Sequence, residues 1–213
     1  WSSDVCSSDL SGLWARPGEQ SDFSISYSQN LPGAGMGKSA EFAAARPSPS
    51  GGSGATANFS VLKANASHFR ALPEDWQFRV AASVQYSRNS LISGEQFGIA
   101  GSTAVRGFSE REIARDVGYY ANVELYSPNL GPAIGYENAG VRLLGFYDLG
   151  YAVNNPLDGE DKQKSSISAA GLGVRWTVQK NFSWRLDFAQ VIDQGASRIR
   201  GSRKTSFALS YGF

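Results

Sequence analysis

The fold of this chain is decided by residues 95–125, which read EQFGIAGSTAVRGFSEREIARDVGYYANVEL. From Gly98 to Asp116 the stretch is first rich in glycine and then densely charged. The residues after Gly118 alternate in character. An extended chain places on one face Tyr119, Ala121, Val123 and Leu125, and on the other Tyr120, Asn122, Glu124 and Tyr126. A period of two predicts a β-strand with one apolar side, entered from a long charged loop.

The same alternation recurs along most of the chain. Apolar and polar residues alternate clearly in residues 23–28, 76–87, 141–151, 171–178, 182–189 and 206–213, and weakly in residues 59–72. Residues 12–15 have the character of a strand end. Since no segment shows a sustained helical period, the sequence predicts an all-β chain.

The composition bounds the class of protein. The chain has 213 residues, 41% of them hydrophobic, and a formal net charge of +1. This suits one large domain, and the charge balance predicts no nucleic acid partner. No apolar run approaches the roughly 18 residues of a membrane-spanning helix. A membrane β-barrel has no such run either, because every second residue of its strands faces the lumen. The hydropathy therefore does not exclude a membrane β-barrel.

The links between predicted strands alternate in length. Long links cover residues 30–54, 90–116, 153–166 and 192–203, short ones cover 15–21, 73–75 and 179–181, and an intermediate one covers 127–139. Long links at one end and tight turns at the other are typical of outer-membrane barrels, whose short turns are periplasmic. The pattern favours an antiparallel transmembrane β-barrel over a soluble sandwich or barrel. In the soluble alternative, the aromatic faces would be buried and the charged faces would lie outside.

The N-terminal segment differs from the rest. Residues 2–10 read SSDVCSSDL, which resembles a translated sequencing adapter and lacks the apolar core of a signal peptide. We interpret residues 1–10 as a non-native segment. It contains Cys6, the only cysteine, so residues 11–213 are predicted to have no disulfide and no cysteine-based metal site. The natural chain is then expected to begin upstream, with further domains.

Several motifs together resemble one known family. They are EQFGIAG at 95–101, AVRGF at 104–108, Gly118 with Glu124-Leu125, FYDLG at 146–150 and the terminal YGF at 211–213. The chain resembles two-partner secretion outer-membrane transporters of the haemolysin-activator type, within the Omp85 superfamily. The resemblance implies that residues 11–213 are the C-terminal half, about eight strands, of a sixteen-stranded barrel. It also implies that the loop at about 90–116 folds back into the pore. Ala100 and Ala104 depart from the usual glycine and serine but keep the site small.

The resemblance implies a gating-loop motif formed by Val105, Arg106, Gly107 and Phe108. Its tip would reach down inside the barrel and contact the wall at Asp148 and Gly150. Asp148 lies on the polar face of its predicted strand, and an arginine fork matches a carboxylate in a bidentate manner. The alternative is a solvated loop in which Arg106 pairs locally with Glu110.

Residues of the predicted lumen wall and of the last strand are expected to have structural roles. Glu124 and Arg142 are predicted to line the lumen wall, with Glu124 pairing with Arg142 or Arg175. The last strand, with Phe207, Leu209, Tyr211 and Phe213, is predicted to be the assembly signal that the barrel-assembly machinery reads, and Phe213 also to contact lipid.

The sequence offers no catalytic group, and His68 is the sole histidine. We therefore expect no enzyme activity, no metal and no cofactor. The resemblance implies a passive pore of the outer membrane, with a secreted exoprotein as cargo and with lipid and the assembly machinery as further partners. Two alternatives remain: an Omp85 assembly factor of the BamA/TamA kind, and a small structural or adhesive barrel. Upstream sequence would discriminate between them.

Overall fold

The computed structural model of the protein describes residues 5–31, 37–178, 181–195 and 198–212. The strands in chain order are β1 (Val5–Arg16), β2 (Glu19–Asn30), β3 (Ser60–Ala71), β4 (Gln77–Tyr86), β5 (Phe97–Gly98), β6 (Ala114–Arg115), β7 (Val117–Tyr126), β8 (Ala139–Val153), β9 (Lys164–Val178), β10 (Phe182–Asp193) and β11 (Arg203–Tyr211). A short helix, α1 (Ser39–Ala45), lies between β2 and β3, and 3-10 turns cover Pro73–Asp75 and Pro132–Ile134. No helix among the described residues is long and apolar enough to cross a membrane.

Within the described residues, nine strands form one antiparallel sheet in the order β1-β2-β3-β4-β7-β8-β9-β10-β11. Each strand pairs with the next long strand of the chain, and β5 and β6 pair separately as a small hairpin. The described residues contain no pairing between β1 and β11, so these two strands are the edges of an open sheet. The prediction of an all-β chain is confirmed.

The two faces of the sheet differ in the way that the alternation predicts. The outer face carries exposed apolar side chains, for example Leu172 at 68% and Phe207 at 64% exposure. The inner face carries buried charges, including Glu124, Asp148 and Asp187. Most of the exposed aromatic residues therefore lie on the outer face and the buried charges on the inner face, which is the reverse of the arrangement expected for a soluble sandwich.

Two details of the strand prediction change. Within the described residues the sheet has nine strands, where about eight were predicted for residues 11–213, and its first strand β1 already begins at Val5 and pairs with β2 up to Arg16. Since backbone pairing does not depend on where a segment came from, the non-native origin of residues 1–10 stays a prediction. The weakly alternating stretch 59–72 forms β3, which pairs along most of its length with both β2 and β4.

The link between β4 and β7 folds back over the inner face of β8–β10. Its apolar side chains form a buried cluster with wall residues, namely Ile99, Ala100, Val105, Phe108 and Ile113 from the link and Ala152, Ile167, Ala169 and Val191 from the strands. We call residues 87–116 the inward loop. A second buried cluster lies among the long links and is formed by Phe42, Ala55, Ala57, Phe59, Val61, Leu91 and Ile92.

Candidate functional site

The inward loop is held by internal hydrogen bonds and is not a flexible connection. The Ile99 N–H donates to the Ile113 carbonyl at 3.0 Å, and the Val105 N–H donates to the Ile99 carbonyl at 3.0 Å. The Arg111 N–H donates to the Ala100 carbonyl, also at 3.0 Å. Together with the β5–β6 pairing, these bonds make the loop a stiff hairpin whose tip carries residues 104–108.

Arg106 lies at this tip and is buried, with 4% of its surface exposed. Its Nη2 and Nε atoms donate to the two oxygens of Asp148 at 2.6 and 2.7 Å, and its backbone N–H donates to the same carboxylate at 3.1 Å. Its Nη1 donates to Glu124 at 2.7 Å. The guanidinium carbon lies 3.5 Å from the ring centre of Phe146. The fork thus binds one carboxylate in a bidentate manner, reaches a second carboxylate and stacks on an aromatic ring.

The carboxylates receive further donors. Asn122 donates from Nδ2 to Asp148 at 2.8 Å and to the Ala104 carbonyl at 2.7 Å, so it joins the wall to the loop. The Tyr126 hydroxyl donates to Glu124 at 2.7 Å. These contacts satisfy the hydrogen-bonding capacity of groups that would be costly to bury alone.

A second row of charges lies beside the first. Arg175 lies 2.7 Å from Asp187, which is also 3.9 Å from Arg106, and Arg79 lies 3.9 Å from Glu124. The carboxylates of Glu124 and Asp187 each lie within 4 Å of a second arginine, whereas the ion pair of Asp148 is with Arg106. Asp148 therefore depends most directly on the position of Arg106.

Two predicted pairings are wrong. Glu124 binds Arg106 and not Arg142 or Arg175. Arg142 lies four residues from the register partner of Glu124, roughly 13 Å along the strand, and binds Asp75 in the turn before β4 at 2.8 Å instead. The local alternative for Arg106 does not occur either, since Glu110 accepts the Ser102 N–H at 2.7 Å.

Glycine is required at positions 107 and 150 of the predicted motifs for two different structural reasons. Gly107 has φ +97°, a conformation that favours glycine, and a side chain there would meet only ordinary contacts. At Gly150 a Cβ would lie 3.0 Å from Val105 Cγ2, so the absence of a side chain lets the tip approach β8 closely. Phe108 fills the buried cluster, and its carbonyl accepts a hydrogen bond from Lys204 of β11 at 2.5 Å.

The predicted assembly signal lies elsewhere. Phe207, Leu209 and Tyr211 are exposed on the outer face of β11, and Phe213 lies outside the described residues. Recognition of this strand by the assembly machinery stays a prediction, as do the gating roles of the site residues.

Sequence reasoning missed several contacts of the site. Phe146 lies on the charged face of β8, where an aromatic residue interrupts the polar pattern, and that interruption was a usable signal. Asn122 lies on the polar face of β7 and was not singled out. Lys204 had no signal, because its partner is a backbone carbonyl 96 residues away.

Comparison with known proteins gives a consistent result. The family model of the haemolysin secretion/activation proteins ShlB/FhaC/HecB matches residues 5–176. The structure is similar to CdiB from Escherichia coli, with a TM-score of 0.72 at 17% identity over 98% of this chain and 36% of that one. It is also similar to CdiB from Acinetobacter baumannii, with a TM-score of 0.63 at 19% identity over 96% and 32% of the two chains. None of the curated proteins matches the sequence.

The two kinds of match carry different weight. At these identities the solved structures show the fold, and this chain spans about a third of each of them. The family match covers most of the chain and includes the inward loop and the strands that bear Glu124 and Asp148. The chain belongs to the haemolysin secretion/activation family ShlB/FhaC/HecB, and its location is the bacterial outer membrane.

Proposed function

We propose that this chain forms the wall and the gating loop of a passive outer-membrane pore. The pore passes an unfolded exoprotein of the haemolysin or haemagglutinin type from the periplasm to the cell surface, without nucleotide hydrolysis. The observation that carries the proposal is the burial of Arg106 between Asp148 and Glu124, because it fixes a loop on the inner face of the sheet.

An ionic contact suits a gate in a water-filled pore. A buried ion pair adds little net stability, but removing one partner costs about 3–5 kcal/mol, so it specifies position more than strength. When the loop withdraws as a whole, water replaces it, and Arg106 and the carboxylates are all rehydrated. The contact of Arg106 with the two carboxylates therefore fixes the position of the loop in the closed state, and it can break and re-form between the closed and open states.

The proposal also includes the rest of the barrel. An open sheet cannot expose unpaired strand edges to hydrocarbon, so β1 and β11 require partners in the membrane. We assign residues 11–213 to the C-terminal half of a sixteen-stranded barrel, with the short turns periplasmic and the long links extracellular. The apolar outer face contacts lipid, and the strand with Phe207, Leu209 and Tyr211 is read by the assembly machinery.

The test uses the full-length transporter with its exoprotein. Arg106→Ala removes the contact that returns the loop to one fixed position after each opening. We therefore expect a tenfold or larger loss of secreted exoprotein, although the pore opens more often and the barrel still inserts. Arg200→Ala removes an exposed arginine from the link before β11 and serves as the matched control. Secretion is measured in the culture medium, and insertion by surface labelling. Unchanged secretion by Arg106→Ala would contradict the proposal.

A further inference from the structure

A second buried ionic centre lies at the long-link end of the sheet, away from Arg106. Its anion is Asp116, the residue before β7, which is completely buried. Both carboxylate oxygens receive donors: the backbone N–H groups of Leu91 and Asn155 at 3.0 and 2.6 Å, and Gln96 Nε2 at 3.1 Å. Leu91 and Gln96 lie at the start of the inward loop and Asp116 at its end, so this carboxylate ties the two roots of the loop together.

Arg46 brings two other links to the same centre. It follows α1, and its Nη1 donates to both oxygens of Asp116 at 2.9 and 3.0 Å. Its Nη2 donates at 2.8 Å to Glu160, in the link between β8 and β9. The same guanidinium donates to the carbonyls of Leu91 and Asn155 at 2.8 and 3.1 Å. One side chain therefore joins residues 37–59, the inward loop and the link 154–163.

Apolar packing and further hydrogen bonds support this junction. Phe42 of α1 packs against Phe59 with the ring centres 5.8 Å apart, and both belong to the buried cluster that includes Leu91 and Ile92 of the inward loop. Ser48 donates to the Asp158 carbonyl at 2.7 Å. The three links thus pack as one body.

The stiffness of the inward loop connects this body to the gate. A flexible segment of nine residues between Arg106 and Asp116 would let the tip move outward while the root of the loop stayed fixed. The hairpin bonds between Ile99 and Ile113 and between Ala100 and Arg111 remove that freedom. The tip of the inward loop therefore moves together with its two ends, and it can leave its site only when those ends are released.

We propose that residues 38–59, 87–96 and 154–161 form an extracellular cap, held by Arg46, that must open before Arg106 can leave its site. This inference rests on the proposed gating role of the inward loop. It adds a second control point, at the outer mouth, that the contact between Arg106 and Asp148 does not supply.

The test follows the cap and the gate separately in the full-length transporter. Ala57 is completely buried in the cap, so a cysteine placed there in a cysteine-free background reports cap opening by its rate of maleimide labelling. Channel openings in planar bilayers report the gate. We expect Arg46→Gln to raise both the labelling rate and the opening frequency at least tenfold. Lys162→Gln, an exposed cation just beyond the cap, should change neither.

Each other outcome has a defined meaning. Unchanged labelling in Arg46→Gln overturns the cap. Faster labelling without more openings, when Arg106→Gln opens the same pore, overturns the coupling and leaves the proposed function intact. If Arg106→Gln also fails to open the pore, the gating loop itself is refuted. Should Arg46→Gln fail to insert, Glu160→Gln removes one contact of the same guanidinium from a half-buried position, and the same two readouts apply.

Discussion

The substitution Arg106→Lys separates the charge at the loop tip from its geometry. Lysine keeps the positive charge but has a single ammonium group in place of the planar fork. Arg106 makes three side-chain bonds, two to Asp148 and one to Glu124. An ammonium group at this position can reach one carboxylate oxygen well, and it loses the flat stacking on Phe146.

The magnitude follows from the two bonds that are lost. A hydrogen bond to a charged group contributes about 1.5–3 kcal/mol net, so the closed state weakens by about 3–6 kcal/mol. About 1.4 kcal/mol corresponds to a factor of ten in an equilibrium constant. Even the low end therefore predicts a rise of about a hundredfold in the ratio of open to closed states.

Single-channel recording of the full-length transporter in planar bilayers measures this ratio directly. Arg200→Lys gives the same chemical change at an exposed site and should match the parent. An open-to-closed ratio for Arg106→Lys within threefold of the parent would refute the reasoning, because charge alone would then hold the tip.

Three further predictions use the same recordings. Gly150→Val places side-chain atoms where Val105 packs and should increase openings by tenfold or more, whereas Gly145→Ala on the outer face should not. Asn122→Ala removes the bond from the wall to the Ala104 carbonyl of the loop, which contributes about 0.5–1.5 kcal/mol, so we expect openings to rise by up to about tenfold. Burial alone would raise the pKa of Glu160, but bonds from the Leu157 N–H and from Arg46 outweigh it and lower the pKa. Because the pKa of Glu160 is lower in the folded cap than in the unfolded chain, Glu160 stabilises the cap at pH values above its unfolded-state pKa. This contribution is lost as the pH falls through the folded-state pKa. Acid on the extracellular side should therefore promote opening less in Glu160→Gln than in the parent.

The strands could be predicted from the sequence because each strand lies between an apolar outer environment and an ionic inner one. Alternation in β10 places its aromatic rings on the outer face and its charges on the inner face, and this pattern can be read without knowing the partner strand. The position of Arg106 was expected from family resemblance and not from periodicity. The pairing of Glu124 was predicted wrongly because register along the barrel wall decides which charges meet, and a single sequence does not encode it.

The cap could not be predicted for a related reason. Residues 31–54 contain three prolines and many glycines and serines, which indicate a loop. Helix α1 has only seven residues, too few to show a helical period, and it is fixed by the burial of Phe42. Arg46 meets Asp116 across 70 residues and Glu160 across 114. Contacts of this range follow from the fold of three links together and leave no local pattern.

The relative size of the apolar and ionic contributions suggests how the closed state is held. Ile99, Val105, Phe108 and Ile113 are fully buried, and burying such a side chain contributes about 1.5–3 kcal/mol. Their sum, about 6–12 kcal/mol, is an upper bound on the cost of withdrawal, because these side chains also pack on one another within the hairpin. It still exceeds what the ion pairs add net. Apolar contact therefore supplies most of the closing free energy, and the arginine sets the register. If the pore works without nucleotide, as we propose, the arriving exoprotein has to offset this cost, which it can do by covering the apolar site that Phe108 leaves.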